Sequence, residues 1–369
     1  MERTPLGGEP VVKVMHLLKH SYRGAGNVCA AVDLACEQVK AGHRVVLCSG
    51  GGHFDTVMSD HGVDHQIIDQ SMKGPNAVLQ FYNFYRALQA FKPDIVHAHM
   101  MSSTIVGGLF RPFLGYKLIT TVHNEFQPSA ILMGVGDRVI GVSAAVSASM
   151  VKRGVPKRRM RTVLNGSAKS PRFPPVIADP PPLKQPAVMT VCGQHPRKGV
   201  DILIHAFRKV ADRFPEAHLY IGGTGPFLEE YQALAEQICP GRNTFFGHLE
   251  DPRPYIRAAS VFILASLAEP APLVIAEARE AGCAIVASEV GGIPEMLDMG
   301  QAGLLVPPGD AGALAEAICS LLADPEYLAS MRSRAQSDIA RFDVARMAAD
   351  TEAVYRDALG TKTIGPIDP

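Results

Sequence analysis

VVKVMHLLKHSYRGAGNVCAAVDLACEQVKAGHRVVLCS, residues 11–49, decides the fold. Its first eight residues are apolar nearly throughout, a polar turn with two glycines follows, a helical pattern runs from Gly24 to Ala41, and a second apolar run, RVVLCS, closes the unit. A strand that is apolar on both faces must be covered on both, which implies parallel pairing inside a sheet with helices above and below. The same alternation returns at DIVHAH (94–99), KLITTVH (117–123) and DRVIGVS (137–143), so right-handed β-α-β crossovers follow.

At 369 residues the chain exceeds what one core usually supports, and it suits two domains. The boundary is written in proline: SPRFPPVIADPPPLKQP, residues 170–186, lacks backbone donors and disfavours helix. Beyond it the alternation restarts with AVMTVCG, a helix from about Gly199, AHLYIGG, a helix from about Pro226, NTFFGHL, SVFILAS, a helix through Glu277, and AIVAS. The expected layout is an α/β chain of two Rossmann-like, doubly wound domains facing a central cleft: residues 1–170, a linker at 171–186, and 187–342. Helical stretches at about 311–322, 325–341 and 343–359 follow, and the last is placed to cross back onto the first domain.

Hydrophobic residues make up 47% and charged residues 20%, which excludes a disordered chain. No stretch is long and apolar enough for a membrane span, the opening MERTPLGGEP lacks the core of a signal peptide, and seven cysteines without a C-x-x-C pair fit reduced thiols. The expected compartment is the cytoplasm. The net charge of zero hides an asymmetry: residues 1–170 carry 19 Lys/Arg against 11 Asp/Glu, and residues 171–369 carry 17 against 25. In the basic half, Lys152, Arg153, Lys157, Arg158, Arg159 and Arg161 fall within ten residues, a cluster that attracts phosphate or an anionic membrane surface, or that solvates a loop. The aromatic helix FYNFYRALQAFK, residues 81–92, fits either membrane contact or core packing. Nothing calls for a nucleic-acid partner.

Ligands of open α/β sheets bind at the carboxyl ends of strands, so the loops there carry the chemistry. After the first strand, Gly24 and Gly26 let backbone N–H groups at a helix start approach an anion. Cys29 stands where a dinucleotide fingerprint needs its third glycine, and the second strand ends without an acidic ribose ligand, which disfavours a nicotinamide dehydrogenase. In the second half, Glu269 and Glu277 stand eight positions apart around a helix start near Ala271, Leu273 and Val274. With Glu269 in the loop and Glu277 on the helix, both face the cleft and accept hydrogen bonds from hydroxyls, while the helix N-terminus suits a diphosphate. His97 and His99 alternate on one strand with no partner at metal-ligand spacing, so no metal is expected. His123 ends a strand, where a ring nitrogen can donate to a phosphate oxygen or a sugar hydroxyl.

These pieces together resemble the retaining glycosyltransferases of family four, which have the GT-B fold. The resemblance rests on Glu269 and Glu277 as E-x7-E, Lys198-Gly199-Val200-Asp201, Gly223-Thr224-Gly225-Pro226, Gly291-Gly292-Ile293-Pro294-Glu295 and Leu305 to Asp310. Weaker matches are the glycine loop, the segment from Gly42, D-I-V-H-A-H through His99, Thr121-Val122-His123, Ser143 and Asn165-Gly166. It implies that Glu277 holds the ribose, Glu269 contacts the donor sugar, Lys198 neutralises the diphosphate and His123 lines the reaction centre, making His123 and Glu269 the catalytic candidates. Two positions depart from the pattern. Gln194 replaces an arginine, with Arg197 as the candidate substitute, and Pro270 replaces a glycine and removes an N–H.

The expected activity is retaining, metal-independent hexosyl transfer from a UDP- or GDP-linked sugar, needing no further cofactor, to a saccharide acceptor. A lipid-linked or cell-surface acceptor at the inner face of the cytoplasmic membrane, in polysaccharide or lipopolysaccharide assembly, fits the basic half. The rivals are a sugar-nucleotide epimerase or phosphorylase of similar fold, and an inactive sugar-nucleotide-binding subunit. An epimerase would convert its donor without acceptor, and a binding subunit would have lost the polar residues that remain here.

Overall fold

A computed structural model describes residues 10–70 and 77–361; the opening MERTPLGGE lies outside them. The chain divides into two compact units. One runs to Arg172 and resumes at Asp343; the other is Phe173–Phe342.

The first unit is built on a seven-stranded parallel sheet of β1 (Lys13–Leu17), β2 (Arg44–Ser49), β3 (Asp64–Ile67), β4 (Ile95–Ala98), β5 (Lys117–Val122), β6 (Arg138–Gly141) and β7 (Met160–Thr162), in the order β3-β2-β1-β4-β5-β6-β7. Its inner strands are buried on both faces, as their unbroken apolar runs require. The edge strands β3 and β7 are absent from the sequence reading for a physical reason. DHQI is half-exposed and polar, and Met160–Thr162 is three residues long, so neither shows an apolar run. The helix Val344–Leu359 packs on this unit, buries Tyr355, and is joined at its start by the Val344 amide donating to the Ala168 carbonyl.

The second unit carries a six-stranded parallel sheet of β8 (Ala187–Val191), β9 (His218–Gly222), β10 (Asn243–Gly247), β11 (Val261–Leu264), β12 (Ala284–Ser288) and β13 (Leu304–Val306), ordered β10-β9-β8-β11-β12-β13. The helix expected over 325–341 stops earlier. It spans Pro325–Gln336, capped by Asp324 on the amides of Glu326 and Tyr327, and the chain turns sharply at Asp338, where φ is 51°. Buried Arg279 fills this turn, donating to the carbonyls of Ala335, Met296 and Ser337 and pairing with Asp298 at 2.9 Å.

Each sheet reverses its winding direction once, between β1 and β4 in the first unit and between β8 and β11 in the second. The loops leaving these adjacent strands diverge to opposite faces of the sheet, opening a crevice at their carboxyl ends. The polar side chains singled out by sequence gather at these two places.

Candidate active site

In the second unit, two loops meet at the reversal. After β8 the chain makes a turn at Pro196–Lys198 and enters the helix Val200–Arg213 through Gly199, at φ 62°. A Cβ at Gly199 would lie 2.1 Å from the Ala265 carbonyl oxygen, so the K-G pair exists because the loop after β11 presses against this backbone. The Leu267 amide donates to the Arg197 carbonyl at 2.7 Å, and Arg197 Nη1 donates to the Ala268 carbonyl at 3.1 Å.

That stitching delivers Lys198 Nζ to Glu269 Oε1, which also accepts from Ser266 Oγ at 2.9 Å; Arg197 Nη1 stands 3.6 Å from Oε2. Glu269 is 3% exposed. A carboxylate so buried holds its charge only beside fixed cations and donors, and here it has two cations and a hydroxyl. The backbone of Glu269 is fixed as well. Its carbonyl accepts from the Gly292 amide at 3.0 Å, and a Cβ on Gly291, at φ 54°, would fall 1.7 Å from the same oxygen. The G-G-I-P-E motif is therefore the floor under Glu269.

The helix Leu273–Ala281 starts four residues later with Pro272 as N-cap and no side-chain cap. The Ile275 amide already donates to the Pro272 carbonyl at 3.1 Å, while the N–H groups of Leu273 and Val274 point out of the helix start, as an anion site needs. Pro270 and Pro272 both precede the helix, so the amides of Leu273 and Val274 remain. The N–H that each proline lacks is lost ahead of the first turn, where the helix has no use for it. Ala271 and Leu273 are buried, Val274 is half-buried, and Glu277 lies one turn in, buried.

Gln194 does not stand in for a cation. It is fully buried, folds back so that Nε2 donates to the carbonyls of Cys192 (3.2 Å) and Gly222 (3.3 Å), and leaves Oε1 without a partner among the described residues. Its backbone seats the glycine turn, since a Cβ on Gly225 would lie 2.5 Å from the Gln194 carbonyl oxygen. The positive charge of this loop rests on Arg197 and Lys198.

In the first unit, Gly24 (φ 85°) is exposed and Gly26 begins the helix Gly26–Lys40, whose N-cap Ala25 offers no side-chain acceptor. Sequence reasoning missed what backs this loop. Gly52 sits against Ser21 so closely that a Cβ would lie 2.1 Å from its carbonyl, and the Ser21 amide donates to the Gly51 carbonyl at 2.9 Å. The run of three glycines after β2 was the available signal.

His123, just past β5, belongs to a buried polar chain. Its Nε2 lies 3.2 Å from His99 Nδ1; His99 Nε2 lies 2.9 Å from His16 Nδ1; His16 Nε2 lies 2.7 Å from Gln38 Oε1. Gln38 Nε2 donates to Tyr355 Oη at 3.2 Å, and His97 reaches Tyr355 Oη and Thr121 Oγ1, both at 2.7 Å. Register explains the cluster: β1 and β4 place His16 opposite His97. His16, His97 and His99 are close enough for a metal trio, yet all six of their ring nitrogens already have hydrogen-bond partners, which marks a hydrogen-bonded core. Burial pushes all four imidazoles toward the neutral form, His16 to about 4, His123 to about 3, and His97 and His99 well below the ordinary value. His16, Gln38 and Tyr355 were not among the sequence candidates. A histidine inside an otherwise apolar strand was the only hint.

The basic cluster is smaller than its sequence suggests. Arg161 is buried and its Nη2 pairs with Asp357 at 2.5 Å, beside Arg138 Nε at 2.7 Å on the same oxygen. Lys152, Arg153, Lys157 and Arg158 remain exposed.

Comparisons with known proteins bear on the family and the fold. The profile described as Glycosyltransferase Family 4 matches residues 24–167, and the one described as Glycosyl transferases group 1 matches residues 185–324. The alpha-maltose-1-phosphate synthase of Mycolicibacterium smegmatis is 29% identical over 340 residues, spanning 78% of this chain and 86% of that protein. The phosphatidyl-myo-inositol mannosyltransferase of the same organism is 33% identical over 168 residues, 45% of this chain and 43% of that protein. Among solved structures, Anabaena HepE in complex with UDP and glucose superposes with a TM-score of 0.80 at 20% identity, covering 93% of this chain and 98% of its own; this likeness concerns the fold, which is GT-B.

Proposed function

Because this chain belongs to glycosyltransferase family four, whose members transfer sugars from nucleotide-diphosphate donors with retention and without a metal, we propose that its second unit holds the donor through Lys198, Glu269 and Glu277. The observation that carries the reading is the pairing of half-buried Lys198 with buried Glu269 beside a helix start that has no side-chain cap, with Glu277 one turn in. In this reading Lys198, Arg197 and the amides of Leu273 and Val274 receive the diphosphate, whose negative charge grows as the glycosidic bond breaks. Glu277 accepts from the ribose hydroxyls and Glu269 from a sugar hydroxyl. In the first unit, His123 and the Gly24–Gly26 loop are the candidates for substrate contact. UDP is the first nucleotide to try, since the HepE complex holds it.

The test is thermal unfolding with UDP, GDP and ADP on wild type and Glu277→Ala. Binding at about 100 times the dissociation constant adds roughly 2.7 kcal/mol. Stabilisation by one nucleotide, lost in the variant, is the expected result. Stabilisation that survives in Glu277→Ala removes the ribose role, and none with any nucleotide favours the inactive-subunit rival. Product analysis of donor alone separates transfer from epimerisation.

For the acceptor we propose a lipid-linked saccharide met at an anionic membrane surface. On the helix Ala77–Phe91, Phe84 and Leu88 face the core while Val78, Leu79 and Tyr82 are exposed; Ile105, Leu109 and Phe113 are exposed on the neighbouring helices Met101–Leu109 and Arg111–Leu114. Tyr85 and Phe110 meet in a tilted ring contact with centroids 5.4 Å apart, which brings the helix Ala77–Phe91 beside the start of Arg111–Leu114, and exposed apolar side chains of this kind are what a lipid interface takes up. The mannosyltransferase relative is named for a phosphatidyl-inositol substrate. Among the described residues no helix is long and apolar enough to cross a membrane, so the contact would be peripheral. Flotation with anionic vesicles should carry the protein upward, and Val78→Glu/Phe113→Glu should abolish it; flotation unchanged by that pair would rule this surface out.

A further inference from the structure

A cavity of about 310 Å³ opens at the edge of the first unit's sheet, where β7 ends the ladder. Alternation along β7 sends Met160 and Thr162 to one face and Arg161 to the other, where Arg161 pairs with Asp357. On the helix Ala144–Lys152, the spacing of Ser147, Ala148, Val151 and Lys152 puts them on one side, and that side lines the cavity together with Met160 and Thr162. Ser147 and Ala148 are too small to fill the space. The Ser147 and Thr162 hydroxyls bond each other at 2.8 Å. What remains is aliphatic: the methyls of Ala148 and Val151, the Met160 side chain and the stems of the lysines. Apolar space of this size takes an apolar group from a ligand.

Charge marks the rim. Lys152 and Lys157 border the cavity, Arg153 and Arg158 are exposed beside them, and the sequence carries no Asp or Glu from Arg138 to Ala178. An apolar slot edged by cations matches an alkyl chain with a negative head. Right-handed crossovers put the segments after β4, β5 and β6 on one face of the sheet. The helix that walls the cavity therefore shares its face with exposed Ile105, Leu109 and Phe113, and with exposed Ile131, Leu132 and Val135 between them. We propose that this cavity binds one acyl chain of an anionic membrane lipid, with Lys152 and Lys157 on the phosphate of its head. The inference rests on the membrane reading above only for the source of the lipid, and the site itself lies wholly within the first unit.

The probe is dihexanoyl-phosphatidylglycerol, kept below its micelle concentration and titrated onto protein carrying 13C-labelled methionine methyls. The Met160 methyl, assigned by its loss in Met160→Leu, should shift and saturate. The diheptanoyl lipid should bind about fourfold tighter, because one added methylene enters the cavity. Ala148→Phe, at an exposed helix position, should fill the slot and abolish the shift, while Ala148→Ser should bind as the wild type does. Lys152→Glu/Lys157→Glu should weaken binding by at least about tenfold, and dihexanoyl-phosphatidylcholine should fall short by a similar factor. Glycerol 1-phosphate should leave Met160 unmoved. A Met160 that ignores the phosphatidylglycerol, a shift that survives Ala148→Phe, or equal binding of the two lipids overturns the proposal, and an equal shift with glycerol 1-phosphate would reduce the site to one for phosphate alone. Val78→Glu/Phe113→Glu should keep this binding while losing flotation, so the failure of either reading leaves the other standing.

Discussion

Lys198 and Arg197 are adjacent in sequence and both cationic, yet the structure gives them unequal weight. Lys198 contacts a carboxylate that is nearly sealed from water, whereas Arg197 stands 3.6 Å from the other oxygen with 44% of its side chain exposed. Charge pairs gain strength with burial and lose it with exposure. Lys198→Met should therefore lower kcat by roughly 10²–10³-fold, the usual cost of removing a group that faces developing charge, and Arg197→Ala by about tenfold or less. Steady-state rates with the donor named by the unfolding screen check this, and equal losses in the two variants would contradict the ranking. Sequence alone could nominate both residues. Which of them touches Glu269 depends on how the turn at Pro196–Lys198 aims each side chain.

Among elements, the loops at the carboxyl ends of β8, β11 and β12 act as one piece because glycines let their backbones touch. Gly291 has both a positive φ and a carbonyl where its Cβ would be, so Gly291→Ala must move Glu269. A destabilisation of at least about 1–3 kcal/mol with a collapse of turnover is expected. Gly24→Ala is the control: its φ of 85° is strained for alanine, but nothing lies within 4 Å, so the cost should be nearer 1 kcal/mol. Thermal unfolding of both variants decides, and a Gly291→Ala protein as stable as Gly24→Ala would mean that the loop yields freely. The motif glycines were legible in sequence as motif. The carbonyl that each one accommodates was not, because it comes from a strand tens of residues away.

For the molecule as a whole, the first unit is discontinuous, and its closing helix is fixed through buried polar contacts. Burial would raise the Asp357 carboxyl, but the hydrogen bonds and charges of Arg138 and Arg161 outweigh it and hold the group below its ordinary value. Asp357→Asn strands two arginines and should cost about 3 kcal/mol at neutral pH. The histidine chain sets a second dependence. Folded pKa values depressed from 6.5 to about 4 for His16 and about 3 for His123 mean that the unfolded chain binds protons that the native one refuses. Their contribution is whole above about pH 6.5 and declines as the pH falls toward 4. Melting temperatures should drop steeply across that window, and a flat profile to pH 4.5 would show that the buried rings accept protons in the fold.

The sequence by itself determined the family and the two parallel sheets and nominated Lys198, Glu269, Glu277 and His123, because double-sided burial writes unbroken apolar runs and close backbone approach writes glycine. It did not determine the edge strands β3, β7 and β13, which are too short or too exposed to leave a pattern. Nor did it show that Arg161 leaves the basic cluster for Asp357, 196 positions away. The chain from Tyr355 to His123 was equally hidden. Its members are scattered over the first, fourth and fifth strands, the first helix and the last helix, and only strand register and the packing of Val344–Leu359 bring them within hydrogen-bond reach. Local pattern records what a residue must be covered by; which partner covers it is settled when the sheet is assembled.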